Sequence, residues 1–327
     1  MITRGIDPRE NMLSLPDFKE KQLLFVSAKD AEIEKIKFLN DNICLSKDGK
    51  IVNRISCHKV FALFLIGDCS FTSVLVRNCA DYGVSIFLLK NNFLNYARFL
   101  AQADGNYLLR EKQYAATEEQ ELAAAKILVA NKISNQICLL ENSDGKDAAL
   151  SLEKIKAKIK NARSGKDLLG LEGAAGKFFF QSYFENLEWK RRLPRAKIDI
   201  PNYLMDMGYT MLFNFVEAML GIYGFDVYRG FYHKLFFQRK SLACDLMEPF
   251  RCVIDKQIVK SHNLGRIKAN DFKVSKGVYG LGFEERKKYA EIFAQAIMDR
   301  KEDIFCYIRD YYYCVVNDAA FPEFKLK

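Results

Sequence analysis

Apolar and polar positions alternate with a period near two through much of the first hundred residues. "QLLFVS" and "EIEKIKF" read as strands by this alternation or as short apolar runs. "NICLSKDGKIV" sets Asp48-Gly49 between two such runs and predicts a hairpin. "FALFLIG" reads as a fully buried strand. A helix over "SFTSVLVRNCADYG" follows, with Ser70 as its N-cap and Gly83 as a left-handed residue at its end. "VSIFLLK" and "FLNYARFL", parted by Asn91-Asn92, predict two more strands.

After Gly105 the period lengthens to that of a helix. "LLREKQYAATEEQELAAAKILVANKISNQICLLEN" carries apolar residues at helical spacing without Gly or Pro. "SDGKD" interrupts it, and "LSLEKIKAKIKNAR" continues as a basic amphipathic helix. The remainder reads as helices punctuated by Pro194, Pro201, Gly221, Gly224, Gly230 and a "KGVYGLG" loop. These patterns predict an α+β protein, with a small β-sheet domain over residues 1–102 and a larger, nearly all-α domain over 103–327.

Composition narrows the setting. Half of the 327 residues are hydrophobic, enough for a substantial core. The nine cysteines form no CxxC pair and mostly sit in apolar runs, which with the polar start "MITRGIDPRE" points to a reducing, cytoplasmic setting. The most membrane-like stretch, residues 203–225, carries Asp206, Asn214 and Glu217 and reads as a buried helix, so no membrane association is expected. A net charge of +9 fits either plain solubility or a polyanionic partner.

The familiar catalytic signatures are missing: no GxxxxGK[ST] loop, no GxGxxG, no GxSxG and no HExxH. Only three histidines occur, and His58 and His262 read as structural or exposed. His233 differs. It opens "HKLFFQRKSLACDLMEPFR", where Asp245 and Glu248, three apart, share one helical face among apolar side chains. Ser241 is a plausible N-cap for that helix, and Pro249 would free the carbonyl of Asp245. Arg251 could pair with either carboxylate, and a capped helix with an Arg–Glu bridge would also account for the stretch. Glu172 stands alone in "DLLGLEGAAGKFFF", beside small residues (Gly173, Ala174, Ala175, Gly176) that would let another segment come close. A charge favourable near a helix N-terminus is the plainer account of it. Two carboxylates and an imidazole would suit Mg²⁺ or Mn²⁺ better than zinc.

Taken together, "LLGLEG", "GFYHKLFFQRKSLACDLMEPFR", "RRLPRAKIDIPNYLMDMGYTML" and "GIYGFD" resemble motifs of the CRISPR spacer-acquisition integrase family ("Cas-one"). The resemblance runs the length of the chain. It implies a metal site of Glu172, His233 and Glu248, with Asp245 as an auxiliary catalytic carboxylate. It also implies an endonuclease and integrase that joins 3′-hydroxyl ends of short DNA to a repeat array. A homodimer formed through the β domain and a small ferredoxin-like second subunit are implied as partners. The basic runs would hold DNA through Arg163, Lys177, Lys190, Arg191, Arg192, Arg239, Lys240 and Arg251, or else form a solvated face. A DNA-binding scaffold without catalysis is the competing class. An all-α enzyme acting on diphosphates would need DDxxD motifs, and none occurs.

Overall fold

The computed structural model describes residues 21–27, 32–90, 95–101, 106–143, 145–187, 189, 191–233 and 237–326. The Asn91-Asn92 turn and Lys190 lie outside them. The chain divides into two compact units: Met1–Asn106 with Gly221–Gly224, and Tyr107–Leu220 with Phe225–Lys327. The sequence pattern alone places the change near residue 102.

The first unit holds eight strands, one α-helix and a 3₁₀ turn at Cys57–Lys59 among the described residues: β1 (Gln22–Ser27), β2 (Lys35–Leu39), β3 (Asn42–Lys47), β4 (Lys50–Ser56), β5 (Val60–Ile66), β6 (Ser70–Phe71), α1 (Ser73–Asp81), β7 (Ser85–Leu89) and β8 (Asn95–Phe99). One sheet runs β1-β5-β7-β8 and the other β4-β3-β2-β6. Every residue of β5 is buried, because it lies between β1 and β7 in parallel and both faces are covered. The β3–β4 turn forms at Asp48 and Gly49, with φ of 49° and 74°, the left-handed pair that a two-residue hairpin needs. Ser70 does not cap the helix. It pairs with Lys35 as part of β6, and α1 begins after Thr72. Gly83 is left-handed, at φ 69°.

In the second unit the expected long helix is two: α2 (Tyr107–Ala115) and α3 (Glu118–Glu141). Thr117 separates them through a capping box, in which its hydroxyl accepts from Gln120 N and Gln120 Oε1 accepts from Thr117 N. Next come α4 (Lys146–Lys158), α5 (Gly165–Tyr183), α6 (Ile200–Tyr223), α7 (Ser241–Met247), a 3₁₀ turn at Glu248–Phe250, α8 (Arg251–Asn263), α9 (Phe283–Met298) and α10 (Lys301–Asn317). Lys240, not Ser241, is the cap residue of α7. "KGVYGLG" is no simple loop: β9 (Phe272–Ser275) and β10 (Val278–Leu281) form a hairpin around left-handed Lys276 and Gly277. Among the described residues no helix is long and apolar enough to cross a membrane.

Candidate metal and nucleic-acid site

Four helices, the 3₁₀ turn and one loop supply the site. α5 starts on a second capping box, Ser164 with Asp167, which sets the phase of the helix. Glu172 follows two turns later, in the body of the helix and not at its N-terminus. Gly173 and Gly176 face open space, while Ala175 is buried, so a close approach beside Glu172 is made on the Ala175 side and not at the glycines. What meets Glu172 is Lys132 of α3, whose ammonium bonds Glu172 Oε1 and lies 2.7 Å from Glu248 Oε2. The side chains of Lys132, Glu172 and Glu248 are 16%, 15% and 3% exposed, so this charge cluster is largely dry.

Pro249 explains the backbone at Glu248. It has no N–H to continue an α-helical ladder, so α7 stops at Met247 and the chain tightens into the 3₁₀ turn. The Asp245 carbonyl is not left free, since Glu248 N–H donates to it. Arg251, one turn on, gives Nη2 to Glu248 Oε1 at 2.9 Å and lies over the Tyr209 ring at 4.7 Å. The other oxygen, Glu248 Oε2, is buried with no hydrogen bond directed at it, although the Lys132 charge is close.

Asp245 organises the loop that carries His233. Its Oδ2 accepts from Phe231 N (2.8 Å) and Tyr232 N (3.0 Å), and its Oδ1 from His233 N (2.9 Å) and His233 Nδ1 (2.6 Å). Both oxygens are therefore engaged, and Asp245 acts on the site by orienting His233. Gly230 makes this possible: a Cβ there would stand 2.6 Å from Asp245 Oδ2. With Nδ1 held by Asp245, Nε2 is the imidazole nitrogen left to carry a lone pair. Tyr232, next to His233, donates its hydroxyl to Glu172 Oε2 at 2.5 Å.

The electrostatics follow from this geometry. Burial raises the Glu172 carboxyl, but Lys132, Tyr232 and Arg251 outweigh it and hold it at about 2. Burial lowers the His233 imidazole, yet the Asp245 bond and the fields of Glu248 and Glu172 raise it overall. Lys132 is likewise raised, its burial overcome by the two glutamates. Among the described residues no three His, Cys, Asp or Glu side chains stand close enough to hold an ion as they are. The donor set nonetheless fits a hard divalent ion: two carboxylates, one oriented imidazole, and a buried oxygen lacking a hydrogen bond.

The family model described as "CRISPR associated protein Cas1" matches residues 26–295. The chain belongs to the Cas1 family. A CRISPR-associated endonuclease Cas1 of Chlorobaculum tepidum is 28% identical, over 88% of this chain and 89% of that protein. One of Thermus thermophilus is 31% identical, over 73% and 74%. Among solved structures, a Cas1 protein from Thermotoga maritima shares the fold with a TM-score of 0.78 at 18% identity, covering 94% of this chain and 100% of that one.

The basic residues expected to hold DNA separate into groups. Arg163, Lys177 and Arg191 are exposed. Arg192 is instead bound to Asp206 (2.7 Å) and Asn202 (2.9 Å), Lys240 to buried Glu217, and Arg251 to Glu248. Each of these three charges is paired with a carboxylate largely shielded from water. Arg239 is half-buried, with Nε on Ser241 Oγ. Sequence reasoning alone misses Lys132, Tyr232 and Gly230 as site residues. Lys132 lies in the mid-helix run "ANKISNQ", and that lone cation on an otherwise apolar and amide face is the signal that could have found it.

Proposed function

We propose that this Cas1-family chain is a divalent-metal-dependent DNA endonuclease and integrase, joining 3′-hydroxyl ends of short DNA to a repeat array by transesterification. The observation that carries the reading is the convergence of Glu172 and Glu248, from separate elements, on one cation beside an imidazole oriented by Asp245. Glu172, His233 Nε2 and Glu248 would hold Mg²⁺ or Mn²⁺, which supplies Lewis-acid polarisation of a phosphodiester. Asp245 fixes the ring plane of His233, while Tyr232 and Arg251 fix one oxygen each of Glu172 and Glu248. Exposed Arg163, Lys177 and Arg191 offer charge for the DNA backbone. The relatives from Chlorobaculum tepidum and Thermus thermophilus are named endonucleases, which supports phosphodiester chemistry.

The test is a strand-joining assay with Mn²⁺, a short duplex and a repeat-bearing plasmid. Glu172→Ala and His233→Ala are expected to abolish joining while DNA affinity changes less than about threefold, since the basic surface persists. A donor ending in a 2′,3′-dideoxynucleotide should give no joined product. Joining that persists with that donor refutes the 3′-hydroxyl mechanism.

A further inference from the structure

Each carboxylate of the site divides its oxygens between two tasks. Glu172 gives Oε2 to the Tyr232 hydroxyl and Oε1 to Lys132. Glu248 gives Oε1 to Arg251 and turns Oε2 toward Lys132. The two oxygens facing Lys132 are thus the ones left over once the structural donors are satisfied. A divalent ion bonding both at about 2.0–2.6 Å would need the space that the ammonium fills.

We infer that Lys132 is a built-in counter-ion that holds the metal's place and is displaced when the ion enters. This rests on the reading of Glu172, His233 and Glu248 as metal ligands. Two buried carboxylates facing each other without a cation would repel and move apart. Lys132 prevents this before loading and keeps both groups aimed at one point. The two neighbouring cations differ in freedom. Arg251 is held by Glu248 and stacked on Tyr209, so it stays. Lys132 instead ends a flexible four-carbon stem and holds its partners as a point charge, without a rigid fork, so it can swing aside. The arrangement gives up some metal affinity for a site whose geometry exists before the metal arrives.

The experiment compares Mn²⁺ binding, by calorimetry and by electron paramagnetic resonance, in the full chain and three variants. Lys132→Met should bind Mn²⁺ about tenfold tighter or more, because no charged competitor must be expelled. Its metal-free melting temperature should fall and its rise on adding Mn²⁺ should exceed that of the parent. Lys132→Arg keeps a cation in place and should bind Mn²⁺ no tighter than the parent. Equal or weaker binding by Lys132→Met overturns the inference. If Lys132→Met folds only with Mn²⁺ present, one cation replaces the other as inferred; if Mn²⁺ does not restore folding, the inference fails. His233→Ala separates the two levels. Loss of Mn²⁺ binding in it with unchanged affinity in Lys132→Met rejects only the exchange, whereas undiminished binding in His233→Ala rejects the metal site itself.

Discussion

Asp245 receives four hydrogen bonds, all from Phe231, Tyr232 and His233. Its influence on the site therefore passes through the imidazole, and Gly230→Ala tests that link. A methyl 2.6 Å from Asp245 Oδ2 must push the loop. A displacement of about 1 Å is expected to lower the joining rate by about a hundredfold. DNA affinity unchanged beside that loss would place the effect in the site. Asp255 is a separate case. It is buried, accepts the Tyr209 hydroxyl at 2.5 Å, and is pushed up to about 7 by burial, against the pull of Tyr209 and Arg251. Its ordinary value is 3.8, so between there and about 7 the unfolded carboxyl ionises while the folded one keeps its proton. The stability contributed is full below that window and is lost as pH climbs through it. Asp255→Asn should remove this loss. Its melting temperature relative to the parent is expected to improve from about pH 4 to about pH 7 and then level off. A constant difference across that window contradicts the assignment.

At the scale of elements, α3 is the backbone of the site. Asn131 and Asn135, one turn apart, bind the backbone of the C-terminal segment: Asn131 takes both polar groups of Phe324, and Asn135 takes Phe324 O and Leu326 N. Asn135 also donates to Pro249 O at 3.0 Å, and Phe324 stacks on Phe250 with ring centroids 4.2 Å apart. The turn bearing Glu248 is thereby clamped between α3 and that segment. Asn135→Ala is expected to cost about 2–3 kcal/mol in urea unfolding, from buried groups left unpaired. It should also lower the joining rate more than Asn131→Ala does, since Asn135 alone of the two reaches the turn. Equal kinetic effects would show that the clamp is structural alone. Much of this scale is legible in the sequence. β5, the Asp48-Gly49 hairpin and the left-handed Gly83 are local events, written in periodicity and in turn chemistry. The division at Thr117 is written too, as Thr-x-x-Gln, but an unbroken helical period conceals it. Ser70 is misread because the strand ladder to Lys35 claims its backbone, and no local pattern reveals a partner 35 positions away.

At the scale of the whole molecule, the exposed basic residues are proposed to set the salt dependence of DNA binding. Replacing Arg163, Lys177 and Arg191 with Gln together should flatten the log–log slope of DNA affinity against salt, by about 0.9 for each phosphate they neutralise. An unchanged slope would mean that these residues face solvent in the complex. The β-rich unit is proposed as a dimerisation surface, on the ground that strands at the ends of its sheets leave edges to cover; β4 ends its sheet largely exposed. Light scattering at micromolar concentration should report a dimer, and a monodisperse monomer would reject it.

By itself the sequence determined the α+β class, the order of a β-rich unit before a helical one, and the isolation of Glu172, His233 and Glu248 among apolar neighbours. Those properties follow from hydrophobic period and turn residues, which act over a few positions and are read along the chain. Only the tertiary structure decided which charge meets which. Lys132 reaches Glu172 across 40 positions, Tyr232 reaches the same carboxylate across 60, and Asn135 reaches Pro249 across 114. It also decided that Arg192, Lys240 and Arg251 face carboxylates while Arg163, Lys177 and Arg191 face water. The physical reason is that a buried charge is tolerated only beside an opposite one, and the folded chain, not the local pattern, brings that partner into reach.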